Sequence, residues 1–342
     1  MTTRRPSPTP PAKTPQWGDG AGWLPPGTVR AWTRTSGRRR PPPGGDTDAD
    51  VVVIGSGPAG LASAAELVGR GVRAVVLERG PAVGAAWRSR YDGLRFNTSR
   101  RASALPRHSF PRGWGQFPTR DQYVSYLEDY AAGHRIDVRT GVEAVRVERE
   151  ECGWLVRTVT GQVVNAAHVV VATGICQQPS FPDWARGHHF AGPVLHASDY
   201  RNAAPFRGHR VVLVGAGSTG MEIAHELARG GAAAVSLSVR TPPNVLLRRV
   251  GGLPGDWPVP LLLRLRTGVV DPMLAALQRV VIGDLRRYGL PRPTQGCIAG
   301  LRARGAGTAV VDREVVEGIR AGLVRVVPAV VGLTRSGVCS SP

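Results

Sequence analysis

The sequence predicts an α/β fold containing two similar units, each a parallel strand pair wrapped around one helix. Three observations carry that prediction. The turn Gly55-Ser56-Gly57-Pro58-Ala59-Gly60 follows the apolar run Val51-Val52-Val53-Ile54 and opens an alanine-rich helical stretch. The turn Gly215-Ala216-Gly217-Ser218-Thr219-Gly220 repeats this design after Val211-Val212-Leu213-Val214. A second valine-containing run follows each helical stretch, so the order strand–turn–helix–strand occurs twice.

The chemistry of such a turn is specific. Its first glycine permits the tight bend, its second lets the backbone approach a pyrophosphate, and its third lets helix and strand pack closely. The helix N-terminus adds free N–H groups and a partial positive charge for phosphates. One GxGxxG turn is a weak signal. Two in full context predict a pair of Rossmann-like, FAD/NAD(P)-binding domains in a protein that passes electrons between two dinucleotides.

The elements follow in order. Residues 1–49 are rich in proline, arginine, glycine and threonine, so a disordered extension is expected. Trp17, Trp23 and Trp32 within it mark either a docking segment or unselected sequence. Residues 50–174 are assigned to an FAD-binding domain. Its first unit ends at Glu78, a carboxylate placed to accept hydrogen bonds from ribose hydroxyls, as in FAD or NAD sites. A loop-rich segment, 81–116, leads to a helix over Thr119–Ala131 with Thr119 as N-cap. Strands are predicted at Val142–Arg149, Trp154–Thr160 and Val163–Ala172.

Residues 175–210 form a linker, and 211–320 an NADPH-binding domain. Here Ser238 holds the place that Glu78 holds in the first unit, 18 residues past the last glycine in both. With no acid there and Arg240 close behind, the unit suits the 2′-phosphate of NADPH. A helix is predicted from Pro272 to Tyr288, and Arg248-Arg249 reads as a solvated turn. Residues 321–342 carry strand-like runs at Val324–Val327 and Val330–Val331, read as the start of a return to the FAD domain.

Composition excludes other classes. The net charge of +19 over 342 residues invites a nucleic-acid partner, but Lys13 is the only lysine and the arginines are spread along the chain. No dedicated nucleic-acid site is predicted. No apolar run approaches bilayer length, no secretory leader is recognisable, and a cytoplasmic location is expected. Cys152, Cys176, Cys297 and Cys339 lie far apart, which argues against a metal site and against a redox-active dithiol.

The segment between the two turns adds a further pattern. Phe190-Ala-Gly192-Pro-Val-Leu-His196-Ala-Ser-Asp-Tyr200 fits FxGxxxHxxxY. With both glycine turns in the right order, over about residues 50 to 330, the chain resembles the class B flavoprotein monooxygenases. These are the flavin-containing and YUCCA-type enzymes and, more distantly, the Baeyer–Villiger enzymes. Gly84-Ala-Ala-Trp87 resembles the family's GGxW segment, which places Trp87 along the flavin. Arg95-Phe96-Asn97-Thr98-Ser99 resembles its Asn-Thr-Ser loop at the flavin ring. Ala172-Thr173-Gly174 resembles its ATG motif.

The resemblance implies FAD and NADPH as cofactors, with O2 and a small organic molecule as substrates. It implies that one oxygen atom passes to the substrate by way of a C4a-(hydro)peroxyflavin, and it gives Asn97 the catalytic contact to flavin and NADP. It implies cofactor contacts from Gly55, Gly57, Pro58, Ala59, Gly60, Glu78, Trp87, Thr98 and Ala172 in the first unit. In the second they fall to Gly215, Gly217, Ser218, Thr219, Gly220 and Arg240. Phe190, Gly192, His196 and Tyr200 are the fingerprint, with His196 read as structural or conformational.

The family's chain normally ends in a last strand, a second ATG-like motif and a flavin-contacting segment. Neither the second ATG-like motif nor the flavin-contacting segment is recognisable before Pro342. A C-terminally truncated chain is therefore expected. Two alternatives stay open: a silent remnant that holds no flavin, and an NADPH-consuming flavin oxidase or reductase without oxygen insertion.

Overall fold

A computed structural model of the chain describes residues 48–176, 178–304 and 308–341. The expectations for the N-terminal extension lie outside the described residues, apart from Asp48 and Ala49.

The first unit forms as its valines dictate. Strand β1 (Ala49–Ile54) is buried at Val51, Val52 and Val53, and helix α1 (Pro58–Val68) returns the chain to β2 (Ala74–Glu78). β1 and β2 pair in parallel from Val51 opposite Ala74 to Ile54 opposite Leu77. A parallel pair needs such a crossover, and burial on both faces explains the unbroken apolar runs. Helix α2 (Arg120–Gly133) starts where its cap predicts. The Thr119 hydroxyl accepts from the Gln122 N–H, and the Gln122 side chain accepts from the Thr119 N–H.

β3 (Asp137–Thr140) then joins β2, and β4 (Ala144–Glu150), β5 (Gly153–Thr158) and β6 (Val163–Val171) form an antiparallel meander. The long β6 uses its first half against β5 and its second half in parallel with β1. The sheet order is β3-β2-β1-β6-β5-β4, so β1 is flanked on both sides. Beneath it, α2 contributes Tyr123, Tyr126, Leu127 and Tyr130 to a core with Leu61, Phe96 and Phe110. Leu127 is fully buried, and Leu127→Ala is expected to lower stability by roughly 2–5 kcal/mol, read as a reduced urea midpoint with unchanged slope.

The second unit repeats the plan with β7 (Arg210–Val214), α3 (Ser218–Arg229) and β8 (Ala234–Ser238). Beyond it lie β9 (Asn244–Leu247), α4 (Thr267–Val281) and α5 (Cys297–Arg304). β10 (Thr308–Val311), α6 (Arg313–Arg320), β11 (Arg325–Val327), β12 (Val330–Leu333) and β13 (Val338–Ser340) complete the described chain. β9 and β10 make a separate parallel pair that sequence reading did not anticipate.

Three expectations are corrected. Residues 325–327 do not return to the first sheet: β11 pairs in parallel with β8, giving the order β11-β8-β7. The predicted Pro272–Tyr288 helix begins earlier, at Thr267, with Pro272 inside it. Tertiary contact holds its start: the Arg302 guanidinium donates to the Thr267 hydroxyl, and the Asp271 carboxylate accepts from the N–H groups of Ile298 and Ala299. The helix stops before Gly283, whose φ of +79° leaves the helical region, and Leu285–Tyr288 form a separate short turn. Arg248 is not solvated; only 2% of it is exposed.

One asymmetry separates the two units. An alanine Cβ at Gly55 would lie 2.6 Å from the Ala172 carbonyl oxygen, because β6 runs beside the first turn. At Gly215 nothing described lies within 4 Å, and β7 is an edge strand with Val214 half exposed.

Candidate active site

The first glycine turn is built for a close visitor. Gly55 sits at φ +107°, and a Cβ on Gly60 would lie 1.9 Å from the Gly55 carbonyl oxygen. Gly57 has open space where its Cβ would be. It caps α1 without any side-chain hydrogen bond, Pro58 follows it, and no acid occupies the first helical turn. Ala59 is exposed beside it. An anion approaching at Gly57 meets the N–H groups of the α1 N-terminus and no acid in the helix's own first turn.

Glu78 ends β2 directly under this turn. One carboxylate oxygen accepts from the Ser56 N–H at 2.8 Å and the Ser56 hydroxyl at 2.6 Å, and the other accepts from the Gly80 N–H at 2.8 Å. An ionised carboxylate has about four acceptor positions, so one remains for a ribose hydroxyl. Ala172 closes the back of the turn; its N–H donates to the Ile54 carbonyl, and its methyl lies 3.4 Å from the Gly60 Cβ position. The donors, the spared acceptor and the open face at Gly57 fit the adenosine diphosphate part of FAD.

From this turn the chain leads to Asn97 through packed contacts. The Gly84 N–H donates to the Ser56 hydroxyl at 3.3 Å. Trp87, three residues on, packs its ring 5.2 Å from Phe96 and 4.6 Å from Tyr123. That anchors the Asn97-Thr98-Ser99 loop, in which Asn97 and Thr98 are exposed and Ser99 is buried. The Thr98 and Ser103 hydroxyls bond at 2.6 Å, and the Ser99 N–H donates to Asp256 at 2.7 Å.

The second turn shares the geometry. Gly215 lies at φ +109°, a Cβ on Gly220 would sit 2.0 Å from the Gly215 oxygen, and Gly217 faces open space. Thr219 is exposed, whereas the Ser218 hydroxyl accepts from the Val310 N–H and ties β10 to the helix start. Ser238 is buried and structural: its hydroxyl donates to the Pro328 carbonyl and accepts from the Val330 N–H. Arg240, two residues further, is exposed and has no ion-pair partner among the described residues. That fits the phosphates of a second dinucleotide.

The fingerprint is brought together only in part. Gly192 accommodates the Phe190 ring, which would lie 2.7 Å from a Cβ there. His196 Nδ1 accepts from the Ser198 N–H at 3.1 Å, and its ring stands edge-on to Phe181. Tyr200 instead enters the second core, 6.2 Å from Tyr91.

Sequence reasoning missed the ion cluster where the two halves meet. Arg248 follows β9 and pairs with Glu222 of α3 and with Asp312. The Tyr91 hydroxyl donates to Glu222 at 2.5 Å. Burial pushes the Glu222 carboxyl above its ordinary range, and the Arg248 charge pulls it back. Glu222 lies two residues past the second glycine turn, on α3, but its partner is 26 residues away. No local spacing reveals that pairing.

It also missed a cleft of about 430 Å³ beside the Asn97 loop, lined by Ser99, Arg101, Phe110, Arg112 and Trp257 among others. The Ser99 hydroxyl and the Gln116 amide oxygen of this lining, and one oxygen of Asp256 next to Trp257, are buried without hydrogen-bond partners among the described residues.

Two glycine cradles, one on a mixed sheet and one on a parallel sheet, joined at a buried ion cluster beside a cleft, define an oxidoreductase of the two-dinucleotide class. A family profile described as pyridine nucleotide-disulphide oxidoreductase matches residues 52–245. Indole-3-pyruvate monooxygenase YUCCA1 of Oryza sativa subsp. japonica is 38% identical over 291 residues, which is 84% of this chain and 71% of that protein. Probable indole-3-pyruvate monooxygenase YUCCA9 of Arabidopsis thaliana is 35% identical over 84% of this chain and 70% of its own.

Among solved structures, the flavin-containing monooxygenase from Stenotrophomonas maltophilia is 22% identical with a TM-score of 0.63, covering 86% of this chain and 73% of that one. Steroid monooxygenase bound to NADP is 20% identical with a TM-score of 0.66, covering 85% and 68%. These two show the shared fold. The chain belongs to the YUCCA-like flavin monooxygenases. FAD and NADPH are the cofactors of that family. No helix among the described residues is long and apolar enough to cross a membrane.

Proposed function

We propose that this chain is an NADPH- and FAD-dependent monooxygenase that inserts one oxygen atom of O2 into a small aromatic acid. The observation that carries this reading is the position of Asn97. It is tied to the first cradle through Phe96, Trp87 and Gly84, and to the second through Arg248 and Glu222. In this reading residues 50–174 hold FAD and the second unit holds NADPH, with Gly55–Gly60 and Glu78 on one nucleotide and Gly215–Gly220 and Arg240 on the other. Once bound, the two cofactors supply hydride transfer and oxygen activation.

The chain's own residues orient and shield. Asn97 offers an amide that both donates and accepts at the reacting end of the flavin. Trp87, Phe96 and Tyr123 pack ring against ring behind Asn97 and would keep water from a flavin held beside it. No acid–base pair is needed beside them. The adjacent cleft supports an anionic aromatic substrate: Arg101 and Arg112 bring positive charge, and Phe110 and Trp257 bring flat apolar surface. The named substrate of the plant relatives, indole-3-pyruvate, has this chemistry.

The test is NADPH oxidation by FAD-loaded protein with and without indole-3-pyruvate. Stimulation with formation of an oxygenated product supports the reading; a protein that retains no FAD overturns it. Arg240→Ala is expected to lower NADPH affinity roughly tenfold to a hundredfold and leave NADH affinity unchanged, the size of a lost charged hydrogen bond. Binding titrations of the two nucleotides check this.

A further inference from the structure

We propose that Arg248 is a positioning residue that sets which end of the Asn97 amide faces the flavin. The proposal rests on the reading of Asn97 as a flavin contact.

Arg248 is only 2% exposed and is anchored from both sides by Glu222 and Asp312, all three belonging to the nicotinamide half. Its guanidinium lies 5.9 Å from the centre of the Phe117 ring, and its Nε has no partner among the described residues. From this fixed position Nη2 reaches across to the flavin half and donates to Asn97 Oδ1 at 3.4 Å. A guanidinium only donates, so it accepts one end of the amide and rejects the other. The two ends of an asparagine amide are nearly alike in shape, and hydrogen bonding decides between them. With Oδ1 turned to Arg248, the Nδ2 donors point away from it. Lose that contact, and the exposed amide is free to turn over.

The arrangement also accounts for why a charged side chain is buried here at all. Glu222 stands two residues past Gly220 on the helix that opens at the second cradle, and the Tyr91 hydroxyl from the flavin half donates to it. Tyr91, Asn97 and Phe117 of one half thus close around Arg248 and Glu222 of the other. Burial of a charge is costly unless it is paired, and the pairing here spans the two halves.

The experiment combines Arg248→Lys, Asn97→Ala and the double variant. Lysine keeps the charge, but a single ammonium cannot span three partners. Two quantities are read: the visible circular dichroism of bound FAD before any NADPH is added, and the H2O2 released per NADPH consumed. R248K is expected to change the flavin spectrum as N97A does and to raise the H2O2 yield about fivefold, the size expected for one lost hydrogen bond. The double variant is expected to match N97A alone in both readings.

A double variant that shows the product of the two single effects overturns the proposal, as does an R248K protein with an unaltered flavin spectrum. If R248K does not fold, E222Q/R248M removes a charge of each sign and takes its place in the same cycle. A wild-type protein that holds no flavin overturns the reading of the first cradle and this proposal with it. Flavin binding with unaltered R248K behaviour overturns this proposal alone.

Discussion

Gly60→Ala yields a protein without flavin colour. The added methyl would stand 1.9 Å from the Gly55 carbonyl oxygen, inside any permitted contact, and 3.4 Å from the Ala172 methyl. Neither neighbour is the loose end of a side chain. One is the backbone of the turn, already at φ +107°, and the other closes the β6 strand beside it. The turn must open to admit the methyl, and opening it pulls Ser56 away from Glu78. Several kcal/mol are at stake where backbone must move, which is roughly a hundredfold or more in FAD affinity. The flavin absorbance of purified protein and the FAD dissociation constant check this result. Retained colour with wild-type affinity would mean that the first turn does not cradle the flavin.

Gly220→Ala makes the matching change in the other half with a different expected outcome. The Cβ would meet the Gly215 oxygen at 2.0 Å, so this turn also opens. The first cradle and its core are untouched, and the flavin stays bound. NADPH-dependent reduction of that flavin is expected to fall roughly a hundredfold, while reduction by dithionite proceeds normally. Stopped-flow bleaching of the flavin with each reductant separates the two steps. Loss of both reductions, or of neither, contradicts the assignment of one nucleotide to each turn.

Much of this architecture was legible because it is local. Val51–Ile54 and Val211–Val214 announce strands, the glycines announce turns, and the Thr119–Gln122 pair announces a helix start. Glu78 is legible as the last residue of the strand that follows the first helix, and the Ser56 N–H donates to its carboxylate. What stayed hidden depends on partners far away in sequence. β9 and β10 are four residues each and are recognisable as strands only when Asn244 lies opposite Thr308. Arg325–Val327 reads as a strand, but nothing local says that it adds to β8 rather than to the first sheet. Arg248 looks like any arginine in a proline-rich stretch until Glu222 and Asp312 are brought beside it. The cleft at Ser99, Gln116 and Trp257 is likewise assembled from segments that sequence cannot join.

Oxygen from O2 is expected to enter the substrate. The direct measurement is a single-turnover reaction of FAD-loaded, NADPH-reduced protein with isotopically heavy O2 and an aromatic 2-oxo acid, read by mass spectrometry. One heavy oxygen atom is expected in the organic product and the other in water for each NADPH consumed. NADPH consumption with all of the heavy oxygen recovered as H2O2, and none in the product, would contradict it.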